Sequence, residues 1–318
     1  WSMKAPDALD RGVTVRPGGP TIAQALRHAD RRLREAGLEN TALEAARLLA
    51  LVLDIPRASL VLDRDRRIDA ASRLRLDALL DRRIGNEPLQ HIEGTVEFRE
   101  IVLRSDGRAL IPRPETEQLV ELITGWAGSR FPCAGVTRDG DVQGPTIARV
   151  LDIGTGSGAI ALSLLAEGTA GRALGLDISR RALALARENR RRIGMEDRLS
   201  LLMCGRDPYG ALAARPAFDA IVSNPPYVET GAIDGLQTEV RGHDPREALD
   251  GGPDGLAVIR RIAVGARERL LDGGRIFLEI GAGQAESVAE LLERAGPWRR
   301  LSVRRDLAGR DRFVTAER

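Results

Sequence analysis

The apolar positions of the chain follow two different periods. From Thr21 to Ile84 they recur three and four residues apart. Ile22, Ala25, Leu26, Ala29, Leu33 and Ala36 form one helical stripe, opened by Thr21 and Gln24 at capping-box spacing and stopped by Gly37. A second stripe of Leu43, Ala46, Leu49, Ala50 and Leu53 starts after Asn40-Thr41, with Glu44 at the capping position, and ends before Pro56. A third runs from about Asp69 to Ile84 on Leu74, Leu76, Leu79, Leu80 and Ile84. The pattern predicts a small helical domain over residues 21–86, after an extended or disordered stretch at 1–20.

Beyond residue 86 the pattern shortens. Val96-Glu97-Phe98, Ile101-Val102-Leu103 and Ala109-Leu110-Ile111 are brief apolar runs, and Asp106-Gly107 is a turn signal. They predict a β-hairpin linker over 87–112, turning at Asp106-Gly107. Pro112-Arg113-Pro114-Glu115-Thr116-Glu117 then opens a helix, with proline near the first turn and acids that complement its dipole. Gly125 to Pro145, rich in Gly, Pro and Asp, reads as a loop.

From Ala148 strands and helices alternate. Strands are expected at Ala148–Ile153, Ala173–Leu176, Leu199–Met203, Phe218–Ser223 and Arg275–Ile280. Helices are expected at Ala159–Glu167, Ala182–Ile193, Leu256–Leu271 and Ala285–Ala295. Two short strands, Leu301–Val303 and Arg312–Thr315, close the chain as a hairpin. Such alternation predicts an α/β fold, a mostly parallel, doubly wound sheet with a terminal antiparallel hairpin, over residues 113–318.

Composition narrows the picture. The formal net charge is +2 although 30% of residues are charged, too balanced for a dedicated nucleic-acid binder. Lys4 is the only lysine, so the basic side chains are almost all arginine. Two cysteines, Cys133 and Cys204, have no metal-ligand spacing and point to a reducing compartment. No apolar run reaches membrane-spanning length. A cytoplasmic protein without metal or membrane partner is expected.

Two stretches carry chemistry. Gly154-Thr155-Gly156-Ser157-Gly158 lies between the first parallel strand and its helix, where glycines allow close backbone approach and the helix N-terminus favours a carboxylate or phosphate. Asp177 ends the next strand, where an acid accepts hydrogen bonds from ribose hydroxyls. Together they predict a nucleoside-containing cofactor. The loop alone leaves a nicotinamide-dependent dehydrogenase open.

The second stretch is Asn224-Pro225-Pro226-Tyr227, where a strand must stop because proline donates no N–H to the ladder. Asn224 Oδ1 and the Pro225 carbonyl can each accept one N–H of a planar NH2 group, while Tyr227 covers its face. This suits methylation of an amide or exocyclic nitrogen, whose delocalised lone pair must be aimed at an electrophilic methyl about 3–3.5 Å away. Hydride transfer needs no such stretch.

The set resembles a known family. Pro88-Leu89-Gln90, Leu110 to Glu117, Leu151–Ala161, Asp177-Ile178-Ser179, Val222–Val228 and Ala248-Leu249-Asp250-Gly251-Gly252 are similar to the release-factor glutamine methyltransferases. These are class I enzymes with a helical N-terminal domain, a hairpin linker and a Rossmann-like catalytic domain. The resemblance implies transfer of a methyl group from S-adenosyl-L-methionine, leaving S-adenosyl-L-homocysteine. The acceptor would be the side-chain amide of the glutamine in the Gly-Gly-Gln motif of class 1 peptide chain release factors. It further implies that Gly154–Gly158 hold the methionine part of the cofactor, Asp177 its ribose and Asp207 its adenine side. Asn224 would hold the substrate amide and touch the cofactor, with Pro225, Pro226 and Tyr227 completing the substrate pocket. Asp244 stands where the family usually has Glu, and His243 is a candidate for substrate contact.

Three alternatives differ in substrate or class. A sibling family methylates a glutamine of a large-subunit ribosomal protein and shares Asn-Pro-Pro-Tyr, but reads differently at Pro112–Glu117. A DNA amino-methyltransferase would use the same turn on a flipped base and would want a basic footprint. A non-enzymatic cofactor-binding regulator leaves Asn224–Tyr227 without a purpose.

Overall fold

The computed structural model describes residues 18–130 and 147–318. They form two compact units, one ending at Gly85 and one beginning at Asn86. Among the described residues no helix is long and apolar enough to cross a membrane. The expected stretch at 1–20 falls largely outside the described residues, as does Cys133.

The first unit holds α1 (Ile22–Glu35), α2 (Thr41–Leu53), a single turn α3 (Ser59–Leu62) and α4 (Ala70–Ile84). The capping box at α1 forms: the Gln24 N–H donates to Thr21 Oγ1 (3.2 Å) and the Thr21 N–H to Gln24 Oε1 (2.8 Å). Asp69 caps α4 through the Ser72 N–H. The box expected at α2 does not form. Asn40 takes a left-handed conformation and makes no side-chain cap. Glu44 instead meets the buried Arg83 of α4 through two bonds of 2.8 and 3.1 Å. A bidentate, charge-assisted pair across two helices outweighs a local cap. Packing also selects Ala45, Leu48, Leu49 and Val52 as the buried face of α2, leaving Leu43 47% exposed.

The second unit opens with α5 (Leu89–Glu93) and a hairpin of β1 (Thr95–Phe98) and β2 (Ile101–Arg104). This corrects the expected hairpin. Phe98 pairs with Ile101, so the turn is Arg99-Glu100 and not Asp106-Gly107. Arg99 accepts a positive φ of 51° because its guanidinium is held by Glu167 and its N–H by Glu117. Residues 107–113 make no strand. A helix α6 (Pro114–Arg130) follows, six residues longer than the loop expectation allowed. Gly125 and Gly128 weaken a helix by roughly 1 kcal/mol each. Burial of Trp126 and Ala127, with Trp126 edge-on to Phe277 at 5.4 Å, outweighs that cost.

The remaining elements are β3 (Ile147–Ile153), α7 (Ala159–Ala166), β4 (Ala170–Asp177), α8 (Arg180–Ile193), β5 (Leu199–Met203) and β6 (Phe218–Ser223). A short α9 (Thr238–His243), α10 (Ala257–Arg269), β7 (Leu270–Glu279), α11 (Ala285–Ala295), β8 (Arg299–Arg305) and β9 (Asp311–Glu317) complete the chain. The sheet order is β5-β4-β3-β6-β7-β9-β8, parallel except for β9, which runs antiparallel to both neighbours. Period-two alternation sorts the side chains. Val150, Ala220, Val222, Phe277 and Phe313 join the core under α6 and α7. Leu151, Ile153, Ile221, Ile276, Leu278 and Val314 join the core under α10 and α11. Strand order reverses between β3 and β6, and in open α/β sheets a ligand crevice lies beyond the C-terminal ends of such strands.

Candidate functional site

The Gly154–Gly158 loop leaves β3 and the Asn224–Tyr227 stretch leaves β6, so the two leave adjacent strands at the same edge. Ser223 Oγ donates to the Ile153 carbonyl at 2.6 Å and ties their starting points together. Around them lies a cavity of about 500 Å³. It is lined by Gly154, Thr155, Gly156, Ser157, Asp177, Asn224 and Pro226, with Thr116, Leu110, Pro112, Ile178, Pro208 and Gly251 among the other walls.

The loop is a cradle of unusual backbone. Gly154, Gly156 and Gly158 have φ of 72°, 56° and 86°, values that L side chains rarely adopt. Gly154 and Thr155 both donate their N–H to the Leu176 carbonyl, at 2.8 and 2.9 Å. The buried Asn189 of α8 donates to the Ser157 carbonyl at 2.9 Å and also bonds the backbone of Arg104. Thr155 Oγ1 donates to Asp152 Oδ2 at 2.7 Å, and complete burial pushes the Asp152 carboxyl up to about 7. Asp152 and Asn189 support the loop from behind, and sequence patterning did not single them out. The signal was there: each is a polar residue inside an apolar strand or stripe.

Asp177 accepts from the Gly156 N–H and the Ser179 N–H, both at 2.8 Å. Each carboxylate oxygen keeps a further lone pair for a ribose hydroxyl. Burial raises its pKa, and the two backbone donors oppose that rise. The donor loop, the fixed acid and the apolar walls at Ile178 and Pro208 suit a nucleoside-containing group.

Asn224 donates from Nδ2 to Thr116 Oγ1 at 3.0 Å, and Thr116 Oγ1 donates to Glu279 Oε2 at 2.8 Å. Tyr227 is held through its backbone: Gln284 Nε2 donates to its carbonyl at 3.1 Å. Burial raises the phenol to about 12, so it stays protonated. Past the turn Val228 bridges Asp250, its N–H donating to the Leu249 carbonyl and its carbonyl accepting from the Gly251 N–H. Gly251 permits this approach, since a Cβ there would sit 2.8 Å from the Pro226 carbonyl. That accounts for the Ala248–Gly252 stretch beside the turn.

Asp244, whose role the sequence left open, is buried. It accepts from Arg113 Nη2 at 2.6 Å and from the Ile111 N–H at 3.4 Å. It joins two wall segments, Leu110–Pro112 and Pro245–Ala248. His243 lies off the wall, its ring 6.5 Å from that of His91. Gly158, Pro225, Tyr227 and Asp207 are also not wall residues. Asp207 is exposed and accepts from the Tyr209 N–H at 2.9 Å, while Tyr209 is buried with its hydroxyl on the Ile262 carbonyl. Of that segment only Cys204, Gly205, Arg206 and Pro208 reach the cavity. Among the described residues no cluster of His, Cys, Asp or Glu is placed to hold a metal.

Glu279, 1% exposed, is pushed by burial from 4.5 to about 7. A raised folded pKa stabilises the fold below the unfolded value and loses that contribution as pH rises through about 7. At about 1.4 kcal/mol per pKa unit, a Glu279→Gln variant should gain about 2–3 kcal/mol relative to the parent between pH 5 and 8. Urea unfolding at both pH values checks this, and equal pH dependence in the two proteins refutes it.

Comparison with known proteins gives this site a family. Residues 24–94 match the family model described as PrmC N-terminal domain, and residues 141–241 match Methyltransferase small domain. The Release factor glutamine methyltransferase of Caulobacter vibrioides is 37% identical over 294 residues, 92% of this chain and 95% of that protein. The enzyme of the same name from Moorella thermoacetica is 38% identical, covering 94% of this chain and 99% of its own length. That from Cereibacter sphaeroides is 40% identical, covering 92% and 97%. Among solved structures, the hMettl16 catalytic domain in complex with MAT2A 3'UTR hairpin 6 superimposes with a TM-score of 0.50 at 16% identity. The match spans 67% of this chain and 74% of that one, and it concerns the fold alone. With relatives of one name aligned along nearly their whole length, the chain belongs to the release factor glutamine methyltransferase family.

Proposed function

We propose that the chain transfers a methyl group from S-adenosyl-L-methionine to the side-chain amide nitrogen of the glutamine in the Gly-Gly-Gln motif of class 1 peptide chain release factors. The observation that carries the reading is the anchored Asn224. With Nδ2 committed to Thr116, its Oδ1 is left to accept an N–H from a second amide at the cavity.

When bound, the cofactor supplies an electrophilic sulfonium methyl. The chain supplies position. Asn224 Oδ1, on the cavity wall, accepts one amide proton, and the amide's own planarity points its nitrogen lone pair along one direction; the Pro225 carbonyl and Tyr227, which do not line the cavity, serve in this reading as the second acceptor and the covering face on the substrate's side of Asn224. No strong base is needed beforehand, because the nitrogen becomes acidic once methylated and then gives up its proton to solvent water, the sulfonium having left as the neutral thioether. Gly154–Gly158 and Asp177 hold the methionine and ribose portions on the other side of Asn224. In this reading the helical unit at 21–86 docks the substrate protein, the linker at 87–112, which contains the β1–β2 hairpin, joins it to the catalytic domain at 113–318, and the protein works in the cytoplasm.

Radiolabelled methyl donor tests the reading when incubated with the chain and, separately, a release factor, large-subunit ribosomal proteins and DNA. Label on the glutamine of the release factor is expected. Label on ribosomal protein or DNA instead would replace the proposed substrate.

A further inference from the structure

We propose that Thr116 and Glu279 are positioning residues for methyl transfer, turning Asn224 so that its amide oxygen, and not its nitrogen, meets the substrate; this rests on the amide-transfer reading above. Donors and acceptors along the chain Glu279–Thr116–Asn224 fix the orientation. An ionised carboxylate can only accept. Thr116 has one hydroxyl proton, and giving it to Glu279 Oε2 at 2.8 Å leaves only lone pairs toward Asn224. The atom of Asn224 that lies 3.0 Å from Thr116 must then be the NH2 nitrogen, so Oδ1 points the other way. Without this restraint the side-chain amide can turn by about 180° and present its NH2, a group that cannot accept the substrate's N–H.

Three elements bring the parts together by their own periodicity. Val222 and Phe277 both face the α6 core, so two residues on, Glu279 at the end of β7 and Asn224 just past the end of β6 face α6 as well. The register Ser223↔Leu278 sets the two side by side. Thr116 is buried in the first turn of α6, above both. Glu279 interrupts an apolar run, Ile276-Phe277-Leu278 and Ile280, where a charge is costly unless it is paired or hydrogen-bonded, and the Thr116 hydroxyl supplies such a bond.

The other charged or titratable groups near Glu279 are Arg312 on β9, Glu115 and Arg113 at the start of α6, and the neutral Tyr227 after β6. Arg312 is already turned elsewhere, with Nη1 on the Ile280 carbonyl at 2.8 Å and Nε 3.6 Å from Asp306. Thr116 is thus the group through which Glu279 reaches the cavity. Protonation of Glu279 would make it a donor and release the Thr116 hydroxyl to approach Asn224 Oδ1, so turnover should fall on the acid side.

The test begins with the parent protein methylating a release factor from labelled donor. Failure there counts against the amide-transfer reading itself and so removes the ground of this one. Thr116→Val keeps the shape and removes the hydroxyl. It is expected to lower kcat by roughly tenfold to a hundredfold. KM for the release factor and the calorimetric Kd for the donor should stay within about twofold, the pattern of a lost transition-state contact. Thr116→Ser should recover most of the rate. Glu279→Gln, equal in shape, should lose the acid limb of the kcat–pH profile that the parent shows. Parental kcat in Thr116→Val, an equal loss in Thr116→Ser, an acid limb unchanged in Glu279→Gln, or a loss of donor affinity matching the loss of kcat would each overturn the assignment.

Discussion

The Asn224→Ala variant is expected to bind the methyl donor nearly as well as the parent and to transfer the methyl group at least about a hundredfold more slowly, a loss of roughly 3 kcal/mol of transition-state stabilisation. The reason is the division of labour at the switch between β3 and β6. In the proposed reading the donor side is the β3 loop and Asp177, whose bonds run to Leu176, Gly156 and Ser179 and not to Asn224. The amide side is built from β6, where Asn224 is held by Thr116. Alanine removes the acceptor for a substrate N–H and leaves the cradle untouched. Single-turnover transfer with labelled donor, beside donor calorimetry, separates the two sides. Near-parental turnover on a release factor would end the role given to Asn224.

Asp177→Ala should act on the other side, weakening donor binding at least about tenfold. Hydrogen bonds to a charged group are worth about 1.5–3 kcal/mol each, and the variant would lose those proposed to the ribose. It also strands the Gly156 and Ser179 N–H groups that now meet the carboxylate at 2.8 Å. Gly156 belongs to the cradle, so the loop itself should loosen. Asp177→Asn keeps one acceptor and should fall between parent and alanine. Calorimetry with S-adenosyl-L-homocysteine checks the order. An unchanged Kd in the alanine variant would remove the ribose role.

The two variants together bear on how the site is divided. If Asn224→Ala loses rate and Asp177→Ala loses affinity, the crevice is a donor half and an acceptor half meeting between two strands. The Thr116–Glu279 pair belongs to the acceptor half. The opposite pH behaviours expected of Glu279, stability gained on its neutralisation and turnover lost, follow from one cause, a carboxylate kept in an apolar strand end.

What the sequence determined was local and periodic. The capping box at Thr21, the strands Leu199–Met203 and Phe218–Ser223 and the helix Ala285–Ala295 follow from spacing that a helix or a strand alone imposes. The glycine cradle and Asn224–Tyr227 were equally legible, since positive φ and the missing proline N–H are properties of the residues themselves. Tertiary structure decided whatever depended on a partner distant in sequence. Glu44 left its cap for Arg83, Arg99 took the hairpin turn under the hold of Glu167, and the burial of Trp126 carried α6 past two glycines. It also decided the orientation of Asn224. The sequence supplies Thr116, Asn224 and Glu279 at separations of 108 and 163 residues along the pairs that bond, and no pattern within one element links them. Only the parallel register of β6 and β7 beneath the first turn of α6 brings a hydroxyl between an amide and a buried carboxylate.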